Sequence, residues 1–538
     1  MKKYAAVILA LLFPAVSAAQ SIPPMDRRVT LQGPTGLNWA LSTKADTKNG
    51  SLLNPTVTGG TLSGTTMTGG ELSGPTITGG KTTSQSITTP TISAGTAVGL
   101  EISATLGKVF GASVSRYLNS KLMDVISVRD FGAKGDGVAD DLPAINAAIN
   151  YSKTTTYAGG RIWFPDGVYN VSGPIILTGS GFSLVGTTPR AVTIRATFTS
   201  GNVIQIGQAP NDLRSNQNNQ IFGLNIVAAS AMTSGAAIYA DGVYNFHIDN
   251  VRTGENIYDS VDIENTVGST YGVMIRNLWV AHALHRGVII GALATNLSQV
   301  VTDVFLSDSM ILPSGSLADC GLCLYGVGGF YAAGVDMTSS SGDRFATALH
   351  VSPNAGSDVN AVMLSRVLAD DSTNENIRFD GDGFIADVTM TNVWASTSRQ
   401  ASGIAFNNTR TDGVTISSSA VDSNAQNGIV INYGKNIAII GSRILNNSMA
   451  ETGSYDGIGV GVGTATFSIT DNQIGNGGFF NLNGGTPSIV HQRWGVNINK
   501  YAAQGFVVSN NRGEGNVLGI VNDQTTGTNK SVSGNVNG

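Results

Sequence analysis

The feature that most constrains this chain is a short apolar-x-apolar triplet that returns every 22 to 38 residues through its second half. The series opens with Ile238-Tyr239-Ala240 and Val261-Asp262-Ile263. It runs through Val288-Ile289-Ile290, Leu322-Cys323-Leu324, Leu349-His350-Val351 and Ile377-Arg378-Phe379, and it ends with Leu518-Gly519-Ile520. A glycine or another small residue stands just ahead of most of them. One strand per repeat, with no helical periodicity in between, predicts a solenoid whose coils stack parallel strands. Neighbouring coils then sit about 4.8 Å apart. Residues roughly one repeat apart in sequence become neighbours in space, so any site must be sought across repeats.

Composition agrees with many short strands and tight turns. Of 538 residues, 68 are Gly and only 12% are charged, which argues against helical bundles. The net charge of −5 gives no reason to expect a nucleic-acid partner or an anionic membrane surface. Residues 1–19 read as a secretory signal: Lys2 and Lys3, an apolar run, then Ser17-Ala18-Ala19 as a cleavage site. That run is short for a membrane span, and no later segment is long and apolar enough to be one. The expected location is secreted or cell-surface, with a phage virion as the alternative. The two cysteines, Cys320 and Cys323, are too few for a four-cysteine zinc site and lack a redox βαβ context.

The chain divides into a signal at 1–19, an irregular segment at 20–53, a Gly/Thr-rich repeat and linker at 54–123, and a solenoid at 124–538. The repeat has ten residues, TLSGTTMTGG at Thr61–Gly70 and ELSGPTITGG at Glu71–Gly80. One apolar residue in five is too few for a core within one chain, so this segment reads as either disordered or a fibrous stalk wound with identical neighbours. A stalk predicts a homotrimer. Residues 124–190 read as a cap over the open end of the solenoid. There Asp140 or Asp141 caps a helix with Pro143 in its first turn and Ile145, Ala148 and Ile149 on one face.

Two stretches carry a resemblance: VRDFGAKGDGVADDLPAINAAI at Val128–Ile149 and GGRIWFPDGVYNVSGPIIL at Gly159–Leu177. They resemble the opening segment of the pectate lyase superfamily, which includes phage tailspikes and capsule depolymerases. The resemblance implies an all-β chain built as a right-handed parallel β-helix. It implies nothing about the reaction, because this segment caps the fold. The segment WALSTKADTKNGSLLNP, ahead of the stalk, is similar to phage tail-fibre shafts.

A second strand accompanies each triplet, such as Phe246-His247-Ile248 and Val414-Thr415-Ile416. A polar residue follows it: Asn250, Asn277, Asn392, Ser418, Asp471 or Asn510. Stacked at one turn, these side chains are expected to hydrogen-bond from coil to coil. In each triplet the outer two residues face inward and the middle one faces out. The outward column reads Tyr239, Asp262, Ile289, Cys323, His350, Arg378, Ala405, Val430, Gly459, Asn497. Its charged part falls between about residues 255 and 385 and marks the expected groove.

Within that zone YDSVDI at Tyr258–Ile263 is similar to the aspartate-bearing strand of polygalacturonase-type glycosidases. HRGVIIG at His285–Gly291 and DCGLCL at Asp319–Leu324 follow on the next two coils. The resemblance implies hydrolysis, with Asp259 and Asp319 as the carboxylate pair and His285 between them. Two coils separate the pair by about 10 Å, near the upper limit for an inverting pair. The family's Asn-Thr-Asp, Asp-Asp, Gly-His-Gly and Arg-x-Lys motifs are absent. A polysaccharide substrate would rest on Asp262, Glu264, Arg286, Tyr325, His350, Arg378 and Asp380. Of these, Tyr325, His350, Arg378 and Asp380 also suit β-elimination from uronic acids, with Tyr or His as base and Arg as neutraliser. No cofactor is required for hydrolysis. A lyase would add calcium, for which Asp262 with Glu264, or Asp370 with Asp371, are the available carboxylates. Trp279 and Trp394 read as structural and Tyr325 as the sugar contact. A glycan-binding adhesin or tailspike-like structural protein is the competing reading.

Overall fold

A computed structural model describes residues 125–155, 160–207, 216–291, 301–315, 318–340, 342–476, 492–502 and 505–538. Between residues 29 and 117 it describes the backbone of short strands alone. The chain forms two compact units, Met1–Lys121 and Leu122–Gly538. The expected secretory signal, residues 1–19, lies outside the described residues.

In the first unit, three-residue strands pair in parallel with strands fifteen positions on. Thr56–Thr58 meets Glu71–Ser73, which meets Ser86–Thr88, and Thr61–Ser63 meets Thr76–Thr78. A ten-residue motif paired at fifteen residues means that the working unit is five residues. The described backbone of these strands pairs within one chain. Within 20–53, read as irregular, the described backbone forms paired strands. Val29–Gln32 pairs antiparallel with Asn38–Leu41, and Asp46–Lys48 with Ser51–Leu53.

The second unit is the expected all-β solenoid, of about thirteen turns. Its triplets stack in register, Ile204 on Ile238, Val261, Val288, Leu322, Leu349, Ile377, Ile404 and Ile429, all without solvent exposure. Each such side chain removed from water contributes about 1.5–3 kcal/mol, so the stacked columns drive the fold. The glycine ahead of a triplet has a steric cause. A Cβ on Gly428 would lie 2.5 Å from Ile444 Cγ2 and 2.8 Å from the Gly457 carbonyl oxygen. The last triplet breaks the expectation. The strand is Gly519–Asp523, with Val521 in register with Val496, and Leu518 is exposed.

Each coil has three faces. After the triplet strand on face one comes a longer strand, such as Tyr271–Ala283, bent at Asn277 into faces two and three. The bend is a left-handed residue. Asn250, Asn277, Asp308, Arg366, Asn392, Ser418, Asp471 and Asn510 all have φ between 50° and 60°. Asn and Asp tolerate that conformation, which explains their presence. The coil-to-coil ladder expected of them stands mostly one position later. Val393 N–H donates to Ser419 Oγ at 3.1 Å, Asn472 Nδ2 to Asn511 Oδ1 at 3.0 Å, and Asn511 Nδ2 to Asn535 Oδ1 at 2.9 Å.

Helix α1, Leu142–Thr155, sets Ile145, Ala148 and Ile149 into the same core as Ile162 and Phe164. Both expected capping aspartates act, in different ways. Asp140 Oδ1 accepts from Leu142 N–H at 3.2 Å, and Asp141 accepts from Lys134 N–H at 2.6 Å and Gly135 N–H at 3.2 Å. No helix among the described residues is long and apolar enough to cross a membrane.

Candidate active site

Register alone assembles the site. Along face one, Asp259 is level with Arg286, then Cys320, then Thr347. Three residues further along the strand, Asp262 is level with Ile289, Cys323, His350 and Arg378. Residues far apart in sequence thus share one surface, and the charged ones pair across coils.

The three expected catalytic residues are each engaged. Asp259, buried at the start of strand Asp259–Glu264, lies 2.9 Å from His285 Nδ1 through Oδ1. Tyr258 stacks on the His285 ring at 4.4 Å between centroids. A carboxylate on Nδ1 fixes the tautomer that leaves Nε2 as the basic nitrogen. Asp319 Oδ2 accepts from Arg286 Nε at 3.0 Å. Asp319 also stands beside the next coil, its carboxylate within 4.8 Å of a His350 ring nitrogen. His350 Nε2 in turn lies 2.8 Å from Asp380 Oδ1, and Arg378 Nε lies 2.5 Å from Asp380 Oδ2.

Acidity differs sharply along this surface. Burial pushes Asp262 well above the ordinary carboxylate range, reinforced by the negative charges of Glu264 and Asp259 against the pull of Arg286. Its Oδ1 is buried without a hydrogen-bond partner. Burial also raises Glu264, although Tyr239 donates to its Oε2 at 3.0 Å. Asp380 goes the other way. Burial alone would raise it, but the hydrogen bond and charge of His350, with Ser352 and Arg378, bring it down to about 2. Carboxyls at one end of the surface are therefore shifted up and the one at the other end is shifted down.

Two expectations about exposure are reversed. Tyr325 is buried and packs with Ile289 and the Cys320–Cys323 disulfide, under the Arg286 guanidinium at 5.6 Å. Ile289 and Cys323 are buried although they stand in the outward column, because this cluster covers them. Burial raises the Tyr325 phenol, so it serves neither as a base nor as a sugar platform. Trp279 and Trp394, read as structural, are 50% and 42% exposed. Each is the middle residue of its own triplet, Leu278-Trp279-Val280 and Val393-Trp394-Ala395, so the parity rule of face one holds on face three.

Asp241 and Tyr239 belong to the site and were missed. Asp241 is fully buried, accepts from Tyr239 Oη at 3.1 Å and from Thr266 Oγ1, and stands level with Glu264. Counting two residues on from Tyr239, as from Asp262 to Glu264, would have found it. In each carboxylate pair expected for calcium, one member already has a protein partner. Glu264 is bonded to Tyr239, and Asp371 to Arg344 and Arg399. The converging trio among the described residues is Asp319, Cys320 and His350, and the Cys320 sulfur is in the disulfide.

Residues 125–310 match the family model of rhamnogalacturonase A/epimerase, pectate lyase-like. This stretch of the β-helix is similar to pectate lyase-like proteins. Tailspike protein 3 of bacteriophage CBA120 shares the fold with a TM-score of 0.54 and 18% identity, over 79% of this chain and 64% of that one. Short stretches are 51% identical to a probable glucan endo-1,3-beta-glucosidase of Arthroderma benhamiae over 59 residues, and to alginate lyase 7 of Azotobacter vinelandii over 47. The tail spike protein of an Escherichia phage is 48% identical over 52 residues. These matches cover 9%, 9% and 10% of this chain and only 6%, 5% and 6% of the length of those relatives.

Proposed function

We propose that face one, from Asp259 to Asp380, binds an acidic polysaccharide and cleaves it by β-elimination. The observation that carries this reading is the pairing of Asp259 with His285 and of Asp319 with Arg286. Each carboxylate is already engaged, Asp259 by the His285 ring and Asp319 by the Arg286 guanidinium, so neither is free to reach a glycosidic oxygen as the acid that hydrolysis requires. The same pairings create what elimination needs: an oriented imidazole, and a guanidinium to neutralise a uronate carboxylate.

His285 Nε2 takes the ring proton next to the uronate carboxylate. The electron pair forms the new carbon–carbon double bond, and the glycosidic carbon–oxygen bond breaks. Asp262, whose carboxyl burial holds well above the ordinary carboxylate range, supplies a proton to the departing oxygen. Arg286 faces the negative charge that develops on the carboxylate. No step runs through a metal ion. Likeness to tailspikes and to an alginate lyase supports a polysaccharide partner. We place the protein at the cell surface or on a virion, as a trimer.

Incubation with alginate, polygalacturonate and a neutral β-1,3-glucan tests the proposal by product. Unsaturated ends that absorb in the ultraviolet, appearing with new reducing ends from a uronate polymer, are expected. Reducing ends without unsaturation mean hydrolysis. Retention on a polymer without either product means a glycan-binding spike or adhesin.

A further inference from the structure

A second site lies on face three, away from the residues of the proposed reaction. Trp279, half exposed, forms the wall of a cavity of about 260 Å³ that also takes in Asn250, Arg252, Asn277, Asp308 and Met310. The Arg252 guanidinium lies 5.4 Å from the Trp279 ring centroid, held there by Asn225 Oδ1 at 2.9 Å. Asn250, Asn277 and Asp308 line it, each a left-handed bend residue that turns the strand, and Asn277 Nδ2 donates to Asp249 Oδ1 at 3.0 Å. We propose that this cavity is a saccharide subsite, separate from the cleaving face, that takes one or two pyranose units of the same polymer.

The chemistry of the lining selects that occupant. A pyranose offers a flat C–H face and a rim of hydroxyls. An exposed indole packs against the first, and amides with a carboxylate bond the second. Arg252, which also pairs with Glu255 at 3.4 Å, is the cation of this lining and would meet the carboxylate of an acidic sugar. The register extends the site along the helix axis. Trp279 is level with Met310, Met310 with Asp336, Asp336 with Leu368, and Leu368 with Trp394. Four coil steps put the two exposed tryptophans about 19 Å apart, within reach of one short run of sugar units. The preference for uronates rests on the proposed function; the subsite itself does not.

Affinity electrophoresis through gels containing alginate, polygalacturonate or the β-1,3-glucan tests it with wild type, Trp279→Ala, Trp279→Phe and His285→Ala. The expected result is that Trp279→Ala weakens retention by about tenfold, while its turnover of a short oligosaccharide stays within twofold of wild type. Trp279→Phe restores most of the retention, and His285→Ala keeps it. Circular dichroism melting confirms that the variants are folded, as expected for a half-exposed residue. Retention that depends on Trp279 in a protein with no cleaving activity upholds the subsite and removes the proposed reaction. Retention unchanged in Trp279→Ala, or absent for wild type in every gel, overturns the subsite. So does a change of oligomeric state in Trp279→Ala without loss of retention, which would make this face a contact between copies.

Discussion

The coils from Asp259 to Asp380 and those from Ile404 to the C-terminus share one backbone plan and one core, yet their outward columns differ completely. The earlier coils show Asp262, Ile289, Cys323, His350 and Arg378; the later ones show Ala405, Val430, Gly459, Asn497 and Asn522 in the same register. The later coils instead place their polar groups inside, as an amide ladder. The ladder starts from Asn376, on the last of the earlier coils: Asn376 Nδ2 donates to Asn424 Oδ1 and Asn424 Nδ2 to Asn447 Oδ1, both at 2.8 Å, with all three side chains buried. The difference teaches that the solenoid is held by its inner columns and buried ladders. Its outer wall is free to carry charge where chemistry requires it.

If that contrast is right, substitutions in the two regions should damage different properties. Arg286→Ala should lower turnover by about 10²–10³-fold while leaving the melting temperature nearly unchanged. Initial rates and thermal melts check both halves. A collapse of stability would show that the outer wall also supports the fold.

Asn424→Ala should do the reverse. Ser398 N–H donates to Asn424 Oδ1 at 2.9 Å and Asn424 Nδ2 donates to Ala395 O at 3.2 Å, so removing the amide strands buried groups in several coils. The expected cost is about 2–4 kcal/mol in denaturant unfolding, with unchanged turnover by the folded fraction.

His350→Ala tests how the outer wall answers to pH. Asp380 is held below its ordinary value of 3.8, at about 2. Its contribution is therefore present above pH 3.8 and lost as pH falls towards 2, a difference of about 2 kcal/mol. Without His350, Asp380 rises and the acid-unfolding limb moves to higher pH. An unmoved limb would mean that Arg378 alone holds the carboxylate. At the small end, Lys435→Ala removes an exposed ion pair with Asp412, 3.0 Å long. It should change stability by about 0.5 kcal/mol or less and turnover not at all.

The sequence made the β-helix legible because the triplet period is itself the coil. It made the zone of the site legible because charged residues there break the small-residue rule of later coils. What could not be read was covering. Tyr325 follows the outward pattern, yet a disulfide, Ile289 and Arg286 close over it, and no periodicity encodes that local packing. The pairings of Asp259 and Asp319 were also hidden, since His285 lies 26 residues after the first and Arg286 33 before the second. Trp279 was legible and misread. The parity that pointed Asp262 outward applies equally to Leu278-Trp279-Val280.

The central claim is that coils brought into register make His285 a base on an acidic glycan. Its most direct test is the rate of unsaturated-end formation from a uronate polymer by wild type and His285→Ala, with and without added imidazole. The account predicts a loss of about 10²–10⁴-fold that imidazole partly restores. A His285→Ala protein as fast as wild type, or a wild type that cleaves the polymer without forming unsaturated ends, would contradict it.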